Sequence, residues 1–408
     1  MLTFGDIETA RSRLKGAIYE SPCAYSETFS KLTGNKVYFK LENLQMTGSF
    51  KERGALNKLS TLSVDERRAG VIAASAGNHA QGVAYHATRL GMQATIVMPV
   101  ATPLIKVTST RGYGAEVVLH GNNYDDAFEE ARRRAEDARL TFIHAFDDLA
   151  VMAGQGTIGL ELLEQNPYLE AVIVPIGGGG MVSGIAVAMK ETNPRVRIIG
   201  VQTERVASMK AAVSAGKPVV LPAAPTIADG IAVRRAGERT LPVVAKYVDD
   251  IVTVDEEEVA NAILLLLERE KTVAEGAGAA SLAALFSGRT NLSGKKVAVV
   301  VGGGNIDVNL LSRIIERGLV KDGRLVRLRV RIPDHAGALH RLLGVIAEGR
   351  ANIIEIEHNR AFSKVDLGET AVDATLETRG KDHIEALEKA LHSAGYESER
   401  LSPDRWNA

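Results

Sequence analysis

Apolar residues cluster in short, nearly unbroken runs between about Val37 and Ile314: Val71-Ile72-Ala73-Ala74, Ala94-Thr95-Ile96-Val97-Met98, Ala171-Val172-Ile173-Val174, Val196 to Val201, and Val297 to Val301. Runs of strand length without polar alternation predict strands buried on both faces, as in a parallel sheet covered by helices. Helical spacing lies between them. Val83, Ala87 and Leu90 form one such stripe, stopped by Gly91 where a glycine commonly closes a helix. The pattern predicts an open α/β body.

The pattern changes after Leu319. Lys321-Asp322-Gly323-Arg324 is short and polar, a linker by composition. Val326, Leu328, Val330 and Ile332 then alternate with polar residues, which marks a strand with one wet face. Leu339, Leu342, Leu343 and Ile346 follow at helical spacing. Ile354 and Ile356 alternate, as do Thr370, Val372, Ala374 and Leu376. Ile384, Leu387 and Leu391 form a second helical stripe before Gly395, with a short last strand near Tyr396. This β-α-β-β-α-β order is that of a ferredoxin-like unit, about 80 residues long and large enough for its own core. The expected domains are therefore 1–320, with a smaller subdomain at roughly 50–150 nested in it, and 325–403.

Composition narrows the possibilities. Lysine and arginine total 49 against 50 acids, a net charge of -1, so no strong field is available for nucleic acid. The single cysteine, Cys23, rules out an internal disulfide framework and fits a reducing compartment. A small packed residue is a better reading of it than a nucleophile. Met1 to Lys15 lacks the apolar core of a signal peptide, and no apolar run reaches the roughly 18 residues that a membrane span needs. A cytoplasmic protein without membrane partners is expected.

Three strands end in glycine-containing turns that lead into helices. In Val172-Ile173-Val174-Pro175-Ile176-Gly177-Gly178-Gly179-Gly180-Met181, four consecutive glycines expose backbone N–H groups at a helix start, where the dipole also favours an anion. A tight turn alone needs one or two glycines. The spacing matches neither G-x-x-x-x-G-K-[ST] nor G-x-G-x-x-G, so a single terminal phosphate suits it better than a dinucleotide, although Glu204 lies where a ribose-binding acid would. The second turn, Ser75-Ala76-Gly77-Asn78-His79-Ala80-Gln81-Gly82, adds side-chain donors to a helix start. It suits a carboxylate, or is a capping turn. The third, Val301-Gly302-Gly303-Gly304-Asn305, is weak alone. In Ser49-Phe50-Lys51, Ser49 as N-cap would put Lys51 in the first helical turn, where positive potential lowers a lysine pKa. From that segment alone, a solvated surface lysine is the simpler reading.

Ser49-Phe50-Lys51-Glu52-Arg53-Gly54-Ala55, the Ser75 to Ala84 turn and Gly177 to Gly180, in that order and at that spacing, resemble the fold type II pyridoxal-phosphate enzymes. The likeness is closest to the threonine ammonia-lyases and runs from about residue 10 to 318. It includes Ile96-Val97-Met98-Pro99, Val118-Leu119-His120-Gly121 and Gly154-Gln155-Gly156-Thr157. The resemblance implies a two-subdomain α/β fold and pyridoxal 5'-phosphate as cofactor. Lys51 would be the Schiff-base lysine and general base, and Phe50 the residue under the ring. Asn78 would be the partner of the ring's 3-oxygen. Gly177, Gly178, Gly179, Gly180 and Met181 would be the phosphate loop, and Ser75, Gly77, His79 and Gln81 the substrate-carboxylate loop. Glu275 falls near the cofactor in this pattern, and a cap or ion-pair role suits it equally.

Two departures matter. Gly302 stands where the family usually has a serine or cysteine facing the pyridine nitrogen. Ala76 stands where serine racemases have an opposite-face acid/base, and Gln202 and Ser208 where they have acidic metal ligands. These favour elimination of water and ammonia from threonine, and from serine, with no metal. Threo-3-hydroxyaspartate deamination, a racemase-like activity, an amino-acid sensor with a decayed site and a nicotinamide-dependent dehydrogenase remain alternatives.

Asp334-His335-Ala336-Gly337-Ala338-Leu339, at the first strand-to-helix turn of the C-terminal module, resembles an ACT domain. The likeness implies an amino-acid effector held near His335, Gly337 and Asn352, with isoleucine or valine as candidates, or a purely structural module. Family analogy implies a homo-oligomer, a dimer or tetramer.

Overall fold

The computed structural model describes residues 1–359 and 366–401. It divides into two compact units, Met1–Ile306 and Asp307–Ala408. The division falls before the helix Val308–Lys321, earlier than the expected boundary after residue 320. The expected end of the second domain, residue 403, lies outside the described residues.

The first unit holds ten strands. In chain order they are β1 (Cys23–Ser26), β2 (Lys36–Leu41), β3 (Val71–Ala74), β4 (Ala94–Met98) and β5 (Glu116–Leu119). They continue as β6 (Thr141–Phe142), β7 (Ala171–Pro175), β8 (Arg197–Thr203), β9 (Asp250–Val254) and β10 (Lys296–Val301). Six form a large sheet, β1-β2-β10-β7-β8-β9, and four a smaller one, β5-β4-β3-β6. Every pairing is parallel except β1 with β2. The unbroken apolar runs thus become the inner strands: β7 is buried at all five positions and β3 at all four. Burying a Val or Ile side chain completely contributes roughly 1.5–3 kcal/mol, so Val172, Ile173 and Val174 together contribute roughly 4.5–9 kcal/mol.

A buried charge cluster ties the helix Lys51–Ser60 to the large sheet. Arg53 Nε donates to Glu42 Oε2 at 2.7 Å and its Nη1 to Glu161 Oε1 at 2.5 Å, while Lys40 on β2 meets Glu161 Oε2 at 2.5 Å. Arg53, Glu42 and Lys40 are essentially without solvent exposure. Burial alone would raise the Glu42 carboxyl, but Arg53 outweighs it and holds it low. Glu161 reaches the cluster from the helix Leu149–Gln165. The residue two places before Arg53, Lys51, is thereby held in a fixed position.

The second unit has β11 (Leu325–Pro333), β12 (Asn352–Asn359), β13 (Glu369–Glu377) and β14 (Ser398–Arg400), with helices Ala338–Glu348 and Lys381–Ser393 between them. The antiparallel order β12-β13-β11-β14 is the ferredoxin-like arrangement expected from the alternation. One expectation fails. Ile354 and Ile356 do not share a face, because a bulge between Ile353 and Glu355 inserts a residue into β12. Ile353 and Ile356 pack on the core, and Ile354 is left exposed. Among the described residues no helix is long and apolar enough to cross a membrane.

Candidate active site

Lys51 is the first residue of its helix. Ser49 is buried and its hydroxyl accepts from the Lys51 N–H at 3.4 Å, although the cap position itself belongs to Phe50. The surface-lysine reading therefore does not hold: the Lys51 amine donates to the Ala145 carbonyl at 3.1 Å, and burial brings its pKa down to about 8 against the upward pull of Glu275. The amine lies 5.4 Å from the Phe50 ring centroid. Phe50 N–H donates to the Gly302 carbonyl at 3.0 Å, joining the lysine turn to the third glycine turn.

The first residue of the helix Asn78–Arg89 is held from two sides. Asn305 Nδ2 donates to Asn78 Oδ1 at 2.8 Å and to the Thr47 carbonyl at 2.8 Å, while Asn78 Nδ2 donates to Glu275 Oε1 at 2.7 Å. This fixes which end of the Asn78 amide is the donor and leaves its second N–H for a ligand. Glu275 is buried, and burial followed by nearby Asp229 raises its carboxyl to about 7, against the Asn78 hydrogen bond, Lys106 and Lys51. Glu275 sits at an N-cap position but caps nothing with its side chain. Its Oε1 instead fills the space that a side chain on Gly303 would need.

The four-glycine turn follows β7 and opens the helix Gly180–Thr192. Gly179 has φ +98°, a conformation that L side chains rarely adopt. Gly178 is required for a different reason: a side chain there would collide with the Phe146 ring. No carbonyl among the described residues accepts from the N–H groups of Gly178 to Met181. That is an anion cradle by composition and by bonding. Met181 and Phe50 both stand within 3.6 Å of where a Gly302 side chain would begin, so the third glycine turn packs against both.

Lys51, Phe50, Asn78, Met181 and Gly302 are therefore connected through direct contacts and hydrogen bonds, with the glycine turn reached through the 145–146 segment. The carboxylate turn is only partly as expected. Ser75 and Gly77 are half-buried, Ser75 Oγ accepts from Gly77 N–H at 3.2 Å, and a side chain on Gly77 would meet open space. Gln81 is buried. His79 offers the turn its backbone rather than its ring. Its Nε2 donates to the Ile143 carbonyl at 2.9 Å, and burial followed by Lys51 drives its pKa down to about 3. The ring stays neutral and belongs to the packing of the small subdomain, leaving only its backbone N–H for a substrate.

Gln202 and Ser208 serve the backbone, through Lys210 N–H and the Val233 carbonyl respectively. Cys23 is partly buried, and burial pushes its thiol up to about 11, as suits a packed residue. In the second unit, Gly337 is left-handed at φ +86°, and His335 lies beside Arg341 at 3.2 Å. Asn352 does not join them. It pairs with Glu377, which pairs with Leu325 at the opposite end of β11, roughly 26 Å of strand from Pro333.

Sequence reasoning missed Asn305 as a site residue, although it follows the three glycines directly. It also missed the segment His144-Ala145-Phe146-Asp147, which touches both Lys51 and the glycine turn. A phosphorylated aldehyde suits these groups: an amine whose neutral form is accessible, an anion cradle, and an oriented amide donor.

Residues 14–303 match the family described as pyridoxal-phosphate dependent enzyme. Over 397 residues the chain is 51% identical to the L-threonine ammonia-lyase of Thermotoga maritima, covering 97% of this chain and 99% of that protein. Among solved structures, the processed form of threonine deaminase isoform 2 from Solanum lycopersicum aligns with a TM-score of 0.73 and 37% identity, over 76% of this chain and 91% of that one. Maize serine racemase aligns with a TM-score of 0.74 and 34% identity, over 78% and 98%.

Proposed function

The chain belongs to the pyridoxal-phosphate-dependent enzymes, and on that premise we propose that it removes water and then ammonia from L-threonine, leaving 2-oxobutanoate, and from L-serine, leaving pyruvate. The observation that carries this reading is the Lys51 amine, half-buried at a helix start with its pKa near 8. The name and 51% identity of the Thermotoga maritima L-threonine ammonia-lyase support threonine as substrate.

When bound, pyridoxal phosphate supplies an aldehyde that takes up the substrate amine and a ring that draws electrons from the α-carbon. Gly177 to Gly180 and Met181 would hold its phosphate, Phe50 would pack beneath its ring, and Asn78 would donate to the ring oxygen. Ser75 and the backbone N–H groups of Gly77 to His79 would hold the substrate carboxylate, with Gln81 behind them. Lys51 takes the α-proton as general base. With a pKa near 8, about a tenth of its amine is neutral at pH 7, against about three parts in ten thousand for an ordinary lysine. The β-hydroxyl leaves as water. Water is regained when the released imino acid hydrolyses, so threonine gives 2-oxobutanoate and ammonia with all atoms accounted for.

Racemisation needs a proton donor on the opposite face, and Ala76 supplies none. That favours elimination over the activity named for the maize structure. The second unit is read as an ACT-like module taking an amino-acid effector at His335 and Gly337, in a cytoplasmic homo-oligomer. The open left-handed turn at Gly337 supports the effector site.

The test is an assay of 2-oxo acid and ammonia from L-threonine, L-serine and threo-3-hydroxyaspartate, repeated with isoleucine or valine added. Rapid 2-oxobutanoate from threonine supports the reading. Oxo acid from hydroxyaspartate alone moves the substrate, and none from any of them returns the sensor reading.

A further inference from the structure

A planar trans peptide points its C=O and N–H in opposite directions, so anything that pins a carbonyl also aims the next N–H. In the glycine turn the pinned carbonyl is that of Gly178. The hydroxyl of Thr240, a fully buried residue, donates to it at 2.6 Å, and Gly237 N–H approaches it at 3.4 Å. Thr240 is itself held by Asp147, whose carboxylate accepts from the backbone N–H groups of Glu238 at 3.1 Å, Arg239 at 2.8 Å and Thr240 at 3.2 Å. Asp147 is placed in turn by His144, whose Nδ1 accepts from Asp147 N–H at 2.8 Å and from Phe146 N–H at 3.2 Å.

We propose that Asp147 and Thr240 are positioning residues for the phosphate end of the cofactor, holding the Gly178–Gly179 peptide so that the Gly179 N–H faces the anion. Neither residue needs to touch the cofactor. The device links the two sheets of the first unit, because His144 to Asp147 follow β6 of the small sheet and Gly178 follows β7 of the large one. The fit around it is close. A side chain on Gly237 would collide with both Asp147 and Thr240, and one on Gly179 would crowd Thr240.

A simpler role competes with this one. Asp147 could merely cap the helix Thr240–Tyr247, with Thr240 as packing. A cap stabilises the fold whatever is bound, whereas a device that aims one peptide at a phosphate matters only to a ligand that carries the phosphate. The proposal rests on reading Gly177 to Gly180 as the phosphate cradle, and the experiment separates the two claims.

Full-length protein stripped of cofactor is titrated with pyridoxal phosphate and with pyridoxal, following absorbance, for wild type, Thr240→Val, Thr240→Ser and Asp147→Asn. Losing one hydrogen bond that orients the cradle should weaken pyridoxal phosphate about tenfold in Thr240→Val and leave pyridoxal unchanged. Thr240→Ser, which keeps the hydroxyl, should restore wild-type binding, and Asp147→Asn should lower the phosphate preference in the same selective way. Equal weakening of both ligands in Thr240→Val would reduce the residues to caps and overturn the proposal. So would unchanged binding in every variant while wild type still prefers the phosphate. If wild type itself binds pyridoxal as tightly as pyridoxal phosphate, the cradle reading fails, and the proposal with it.

Discussion

The two units bury charge to different depths. In the first, Arg53, Glu42 and Lys40 are buried, and two groups beside the glycine turns are driven toward neutrality: the Lys51 amine down to about 8 and the Glu275 carboxyl up to about 7. In the second, the ion pairs are half open to water, as between Arg400 and Glu388, and the shifts at Arg329 and Arg400 run further upward, where no proton is exchanged. Groups whose pKa values move toward working pH mark chemistry, whereas guanidinium groups held more firmly cationic mark structure. The contrast places the groups suited to the reaction in Met1–Ile306.

The largest test of the contrast removes one amine. Lys51→Ala should lower 2-oxobutanoate formation by at least about a thousandfold with the fold intact by circular dichroism, in line with the loss of a general base. Ending the chain at Lys321, after the helix Val308–Lys321, should leave turnover of the same order as the full chain, since the maize racemase that aligns over 98% of its length covers only 78% of this chain. If the truncated chain were inactive and Lys51→Ala active, the division of labour would be wrong.

Stability should show the same asymmetry. Glu161→Gln leaves Arg53 and Lys40 short of a buried partner and should cost about 3–5 kcal/mol, read from the denaturant midpoint. The matching change outside, Arg400→Ala, removes a pair in which the arginine is 46% exposed and should cost less than about 1 kcal/mol. Equal losses at the two sites would erase the distinction between inner and outer charge.

A smaller effect lies in pH. In the cofactor-free protein, modification of Lys51 by an amine reagent should rise with a midpoint near 8, well below the roughly 10.4 of a free lysine side chain. The same shift has a sign for stability. The folded pKa is below the unfolded one, so the unfolded chain binds more protons between about 8 and 10.5. The contribution of Lys51 to stability therefore increases as pH rises through that window, and a Lys51→Met variant should lack the increase.

Much of this was legible in the chain because period and burial coincide. Unbroken runs such as Val172 to Val174 can only be inner strands, and the alternation from Val326 to Ile332 can only be a strand with one packed face. The bulge at Ile354 was not legible, since an inserted residue leaves no mark in the pattern of apolar and polar positions. The glycine turns announced themselves by composition. What they lean on did not: Asp147 meets Thr240 across 93 residues, and Asn305 meets Asn78 across 227. The motif position of His79 likewise says nothing of where its ring is bonded. Local pattern encodes the cradle, and only the fold reveals what holds it in place.

The central claim is that Lys51 is the point on which the cofactor-binding turns converge. Borohydride reduction of the protein loaded with pyridoxal phosphate, followed by peptide mass spectrometry, addresses it directly. The account predicts a pyridoxyl group on the peptide carrying Lys51 and its loss in Lys51→Ala. A pyridoxyl group on another lysine, such as Lys106 beside Asp229, or none at all, would contradict it.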